Sequence, residues 1–410
     1  MAFDVELVRS QFPSLHQKFR EKSVLFFDGP GGSQVPQQVL DAMSGYLGQF
    51  NANLGGHFFS SDKTVALVDE ARACAQALFN AANKESVVFG ANMTSLTMSL
   101  SRAISRDWLP SHEVIVTALD HYGNVSSWVE AAKDKHAKVY QARIVPETGS
   151  LDVEHLLSMI NEETQLVALT LASNVTGSLI DAKRVIAAAH QVGAKVYLDA
   201  VHLLPHQLVD VQALKCDFVV CSAYKFFGPH LGIAYIAPQY LHTLEPYKVL
   251  PATNVGPGRF ETGTLNFEAL AGFCSCIDYL ANLSPVEGSL RQRLESSYQQ
   301  IAKHETALSE YFLEQISEIS AITLYGYHSS DHSLRTPTFA INVMGYSPHD
   351  VAKILGKQNI CVWSGHCYAP ELIKQLGVQE LGGVLRVGMM HYNTKAEIDH
   401  LKYALQRLCK

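Results

Sequence analysis

Between about residues 85 and 237, short apolar runs alternate with segments in which apolar residues recur every three or four positions. The runs are "SVVFG" (86–90), "EVIVTAL" (113–119), "KVYQARIV" (138–145), "LVALTLA" (166–172), "KVYLDAV" (195–201), "DFVVCS" (217–222) and "GIAYIA" (232–237). Most lack a polar face, as strands covered by helices on both sides must. The intervening segments include 95–108 and "DAKRVIAAAHQVG" (181–193), the second closing on a glycine stop. This alternation predicts an α/β fold with a mainly parallel central sheet flanked by helices.

After about residue 270 the rhythm changes. A long helical stretch (289–316) precedes "TPTFAINV", "SPHDVAKILGKQN", "ICVWSG", "GVLRVGMM" and a last helix. Ser347 is placed to cap a helix with Pro348 in its first turn. Thr394 and Glu397 form a capping-box pattern ahead of an apolar stripe of Ile398, Leu401, Leu405 and Leu408. This half predicts a smaller α+β domain. The expected division is a large domain at 20–275 and a small C-terminal domain at 276–410, with a short amphipathic helix in residues 1–19 packing near the latter.

A length of 410 residues supports two domains better than one core. A net charge of −7 argues against duplex nucleic acid as a partner, because such binders need a basic face. No apolar run reaches the roughly 18–20 residues that span a bilayer, so no membrane segment is expected. The opening residues lack a basic region followed by an apolar core, so they do not read as a secretory signal. Eight cysteines are scattered without a CxxC pair, which excludes a zinc ribbon and argues against a disulfide framework. A reducing cytoplasm is the expected location.

Chemistry enters at the carboxyl ends of the apolar runs, where sheets of this class bind ligands. These ends carry Asp120 and His121, then Ser173 and Asn174, then Asp199, then Ser222 and Lys225. Each alone reads as turn chemistry. On a parallel sheet, all four sets converge on one cleft and bring together an amine, a carboxylate, an imidazole and an amide. That inventory suits pyridoxal 5'-phosphate, which needs a lysine for its aldehyde and a carboxylate for its pyridine nitrogen. Its phosphate needs free amides, and "FGANMTSLTMSL" offers a helix start at Asn92, Met93, Thr94 and Ser95. Competing motifs fail. There is no GxxxxGK loop and no GxSxG elbow. "GPGRFETG" misses GxGxxG, and Pro205 breaks the helix that a His202/His206 metal pair would need. No metal site is expected.

The motifs together resemble the class V aminotransferase group of fold-type I pyridoxal-phosphate enzymes, nearest to cysteine desulfurases and selenocysteine lyases. "CSAYKFFGPHLG" is similar to the group's lysine segment, which implies Lys225 as the Schiff-base lysine and Ser222 as a phosphate ligand, alongside Met93 and Thr94. "ALDHYGN" implies that His121 stacks on the cofactor ring, and "SNVTG" implies Asn174 near the ring hydroxyl. "YLDAVH" implies Asp199 at the pyridine nitrogen and His202 at the ring oxygen. "LRVGMMHYNT" implies Arg386 as the clamp for the substrate carboxylate, a task suited to a bidentate guanidinium. "GGHFFS" implies a substrate role for His57, and "RFETGTLN" a phosphate contact from Thr264 across a homodimer.

One segment departs from the pattern. Desulfurases of the nearest kind carry their nucleophile in G-H-H-C-A, whereas this chain reads "GHCYA". Tyr368 therefore occupies the nucleophile's position and Cys367 lies one residue earlier. Tyr224 also replaces the histidine before the lysine, and Trp363 stands where a basic residue is common. The expected activity is removal of sulfur from a small amino acid, giving alanine, with Cys367 as candidate nucleophile and a sulfur-acceptor protein as a partner. The alternative is a class V aminotransferase, epimerase or other lyase without a persulfide cysteine.

Overall fold

The computed structural model describes residues 3–409. Each of the seven apolar runs supplies most or all of one strand of a seven-stranded sheet: β1 Val87–Gly90, β2 Glu113–Thr117, β3 Lys138–Ala142, β4 Thr164–Thr170, β5 Lys195–Asp199, β6 Phe218–Ser222 and β7 Gly232–Ile236. Their spatial order is β1-β7-β6-β5-β4-β2-β3. Parallel pairing links β6, β5, β4, β2 and β3, while β7 runs antiparallel to both its neighbours. Strand β1 therefore points the same way as the five parallel strands.

The period-two alternation of a strand sends neighbouring residues to opposite faces, and both faces are dry. Phe89, Ile115, Val167, Leu198 and Val219 feed one apolar core. Val88, Val116, Leu166, Tyr197 and Val220 feed the other. Full burial of such a side chain contributes roughly 1.5–3 kcal/mol, so the runs lack polar positions because neither face meets water. The edge strand β3 differs, with Lys138 and Tyr140 exposed.

Helices supply the covering layers. α1 (Met93–Ile104) starts at Asn92, whose side chain accepts the Ser95 N–H, and buries Leu96, Leu100 and Ile104. α2 (Ala182–Gln191) is capped by Asp181, and the chain leaves it through Gly193 at φ 80°. α3 (Leu290–Ser317) is the long helix, opened by a capping box at Ser289 and Gln292.

The C-terminal half forms a second sheet of β8 Ile322–Tyr325, β9 Thr338–Val343, β10 Trp363–Gly365 and β11 Val384–Gly388, in the order β8-β9-β11-β10 and fully antiparallel. α4 (Pro348–Gly356) begins at the Ser347 cap, and α5 (Lys395–Leu408) at the Thr394/Glu397 capping box. Leu308 and Phe312 from α3, Leu355 from α4, and Ile398, Leu401 and Leu405 from α5 cover this sheet. The N-terminal segment touches both halves: Val8, Phe12 and Leu15 join the core that includes Phe89 and Val167, with Phe12 against Phe227 and Tyr279. Arg9 bonds the Tyr392 carbonyl at 2.6 Å and Glu397 at 3.0 Å, and Leu25–Phe26 pair with Ile360–Cys361. Among the described residues, no helix is long and apolar enough to cross a membrane.

Candidate active site

Because β1, β2, β4, β5 and β6 run in one direction, their carboxyl ends share one edge of the sheet, and β11 faces that edge. A cavity of about 580 Å³ opens there, lined among others by Met93, Thr94, His121, Asn174, Asp199, His202, Ser222, Lys225, Cys367, Tyr368 and Arg386.

Lys225 ends the tight turn that follows β6. Its ammonium donates to the Pro30 carbonyl at 2.6 Å and lies 4.9 Å from the centre of the Tyr224 ring. Burial and then the Arg386 charge push its pKa down to about 7, against the opposing pull of Asp199 and Cys367. Asp199 closes β5, and its Oδ1 accepts the Val201 N–H at 2.8 Å. Burial raises its carboxyl to about 6, although that hydrogen bond and Lys225 both favour the charged form.

His121 stands just beyond β2 and accepts the Gly123 N–H on Nδ1 at 3.0 Å, which leaves the proton on Nε2. Burial, Lys225 and Arg386 lower its pKa to about 4, so the ring is neutral near pH 7. Its outer face stacks on Tyr368, with centroids 5.2 Å apart and planes inclined by 24°.

Arg386 occupies the middle of β11 and is buried. One Nη1 hydrogen bond reaches the Asn174 carbonyl at 2.8 Å, while Nε has no partner among the described residues. Asn174 in turn donates from Nδ2 to the Cys367 carbonyl at 2.8 Å, and its Oδ1 is buried and unpartnered. Ser222 accepts the Met93 N–H at 2.8 Å, tying the start of α1 to the lysine-bearing turn. His202 meets the Thr336 hydroxyl through Nε2 at 3.0 Å, and burial holds its pKa well below the ordinary value.

The loop after β10 settles how the shifted motif is disposed. Gly365, Cys367 and Tyr368 all have left-handed backbone, with φ of 109°, 47° and 59°. For the two non-glycine residues this costs about 1–2 kcal/mol each, and the loop is held by bonds from several elements. The Tyr122 N–H donates to the Tyr368 carbonyl at 2.7 Å, Asn174 holds the Cys367 carbonyl, and His366 Nδ1 accepts the Tyr368 N–H at 3.0 Å. Cys367 is half-buried and near enough to Lys225 and Arg386 to bear on both charges. Tyr368 is 67% exposed and covers His121 from outside.

Two residues from the strand ends do not join the cavity. Asp120 turns into the core, accepting hydrogen bonds from the Thr117 hydroxyl and from Asn124 Nδ2 at 2.7 Å. Ser173 spends its hydroxyl oxygen on the N–H groups of Val175 and Thr176. His57 and Thr264 are exposed and do not line the cavity of their own chain. The structure also brings in groups that the strand-end pattern does not single out. Pro30 contributes a backbone carbonyl, which carries no side-chain signal. His230 lines the wall and stacks on Tyr224 at 4.8 Å with planes 14° apart.

The model of the family described as aminotransferase class-V matches residues 25–401. The chain belongs to that family. This class-V chain is 30% identical over 426 residues to a cysteine desulfurase of Pectobacterium carotovorum, covering 100% of itself and 98% of that relative. It is 29% identical over 428 residues to the cysteine desulfurase of Yersinia pseudotuberculosis, covering 100% and 99%. Among solved structures, the cysteine desulfurase of Thermococcus onnurineus matches with a TM-score of 0.88 at 25% identity, over 100% of this chain and 99% of that one. The Escherichia coli cysteine desulfurase CsdA matches with a TM-score of 0.86 at 24% identity over the same shares. These neighbours share the overall fold of this class-V chain.

Proposed function

We propose that the chain is a pyridoxal-phosphate enzyme that removes sulfur from cysteine and releases alanine. One observation carries the reading: Lys225, Asp199, Arg386 and Cys367 line a single cavity. Full-length similarity to proteins named cysteine desulfurase supports it.

The donor set fits the cofactor. The cavity offers an amine, a buried carboxylate, a neutral flat ring and a helix start whose Thr94 N–H lacks an intrahelical acceptor. Asn174 Oδ1 and Arg386 Nε are buried without partners among the described residues, and buried polar atoms rarely stay so. Lys225 would hold the cofactor's aldehyde carbon, Asp199 its ring nitrogen, His121 its ring face, Asn174 and His202 its ring oxygen. Ser222, Met93 and Thr94 would surround its phosphate. Once bound, the cofactor supplies an electron sink for charge developing at the α-carbon.

The chain's own groups do the rest. Arg386 takes the substrate carboxylate through the guanidinium edge that Asn174 leaves free. Lys225 Nζ, half neutral near pH 7, removes the α-proton and later returns a proton to the product. Cys367 Sγ gives up its proton and attacks the substrate sulfur as that atom's bond to Cβ breaks; the bonding pair stays with Cβ, which takes up a proton, so the sulfur ends as a persulfide on Cys367 and the carbon skeleton leaves as alanine. Tyr368 and His121 together shut water out from one side. A second copy of the chain, supplying Thr264 and His57, accounts for their exposure here, and a sulfur-acceptor protein would discharge the persulfide. A cytoplasmic setting agrees with a thiol that must stay reduced.

The test combines L-cysteine with the holoenzyme and measures alanine and, after reductant, sulfide. Equal yields of both are expected, with Cys367→Ser losing sulfide formation. Keto acid in place of alanine would point to transamination instead. An undiminished sulfide yield in Cys367→Ser would remove that thiol from the reaction.

A further inference from the structure

Arg335 is 1% exposed and has no carboxylate beside it among the described residues. Its hydrogen bonds all end on backbone carbonyls: Nε on Thr336 at 3.2 Å, Nη1 on Tyr327, and Nη2 on Thr176 at 3.3 Å and on Thr338. The guanidinium carbon lies 3.9 Å from the centre of the Phe339 ring. Burial alone lowers its pKa, to about 9. A buried charge without a counter-ion is costly, and here four carbonyl dipoles and a π face offset the loss of water.

The position of this charge gives it a role beyond stability. The turn Asn174–Gly177 lies between two buried guanidiniums: Arg386 bonds the carbonyl of Asn174, and Arg335 that of Thr176. On its far side the turn docks on residues 336–338, where the Thr336 N–H donates to Gly177 at 2.9 Å. Glycine is required at that contact. Gly177 has φ 76°, and a Cβ there would sit 2.6 Å from the Thr338 carbonyl oxygen. Thr336 also holds His202 through its hydroxyl. Arg335 thus bonds a segment that holds both His202 and, through Gly177, the turn that begins at Asn174.

We propose that Arg335 is a positioning residue for substrate binding: by fixing the turn Asn174–Gly177 it sets, through the Asn174 carbonyl, the direction in which Arg386 presents its guanidinium. This rests on the reading of Arg386 as the carboxylate clamp. Lysine cannot substitute, because one ammonium on a flexible stem does not reproduce the planar fork whose three nitrogens reach four carbonyls.

The experiment uses holoenzymes carrying Arg335→Lys, Arg335→Met and, as a benchmark, Arg386→Lys. It measures kcat and KM for L-cysteine, and separately the amino-acid concentration that half-saturates the change in cofactor absorbance. A misplacement of about 1 Å can cost on the order of 10²-fold. Both Arg335 variants are therefore expected to raise KM and the half-saturation point of the cofactor-loaded enzyme about tenfold or more. If Arg335→Met does not fold, Arg335→Lys carries the test. A lower melting temperature with unchanged half-saturation would reduce Arg335 to a structural role and overturn the proposal. An unchanged half-saturation in Arg386→Lys would instead overturn the clamp reading itself.

Discussion

Lys225 has an ordinary pKa of 10.5 in water and about 7 in its cavity. That displacement corresponds to about 5 kcal/mol of preference for the neutral amine. At pH 7 about half of the Lys225 side chains would be neutral, against about 0.03% for an exposed lysine, so its nucleophilic fraction is enriched on the order of 10³-fold. The causes are separable by mutation, because Arg386 lowers the value while Asp199 raises it. In cofactor-free protein, pulsed acylation followed by peptide mass spectrometry should give Lys225 a half-maximal rate near pH 7. Arg386→Gln should move that midpoint up and Asp199→Asn should move it down. The sign carries over to stability. The folded state gives up this proton more readily than the unfolded chain, so stability rises with pH between about 7 and 10.5 through this group. Lys225→Met is accordingly expected to make the cofactor-free protein more stable at pH 6, read as a higher urea midpoint. A wild-type acylation midpoint near pH 10, or the same direction of change in both charge variants, would refute the reasoning.

Other outcomes follow from buried groups nearby. Burial pushes the Asp120 carboxyl up to about 8 from 3.8, so its stabilisation is complete below about pH 4 and is lost as pH rises through about 8. Asp120→Asn should flatten the decline of urea midpoint across that window, and parallel profiles for variant and parent would contradict the assignment. Gly177→Ala should destabilise the protein by at least about 1–2 kcal/mol from left-handed backbone alone. It should also weaken amino-acid binding, measured by calorimetric melting and by the spectral titration.

The large sheet was legible because both its faces are buried. Each strand inside the sheet had to be apolar, unlike the edge strand β3, and the turns at the strand ends had to carry whatever polar chemistry the protein needs. Lys225, Asp199, His121 and Asn174 could be found by that rule. Asp120 and Ser173 obey the same rule but serve the fold, since a turn carboxylate or hydroxyl that caps its own neighbours looks identical in sequence to one that faces a ligand. Backbone contributions such as the Pro30 carbonyl leave no trace in residue identity. Arg335 left a trace that could not be interpreted, because an arginine before "TPTF" reads as solvated until its four carbonyl partners, drawn from residues 176 and 327–338, are seen together. The disposition of Cys367 and Tyr368 likewise depended on φ values that no period or spacing encodes.

The reversed strand β7 joins the two ends of the cavity. Its Gly232 pairs with Ser222 on one side and Gly90 on the other, and a Cβ at Gly232 would collide with the Asn92 backbone at 2.5 Å. The lysine-bearing turn and the start of α1 are thus set by a single row of residues. The spacing between the Lys225 amine and that helix start is inherited from sheet register rather than from loop conformation. Slippage of β7 by one position would disengage both at once, which makes this strand the ruler against which any bound ligand of that length is measured.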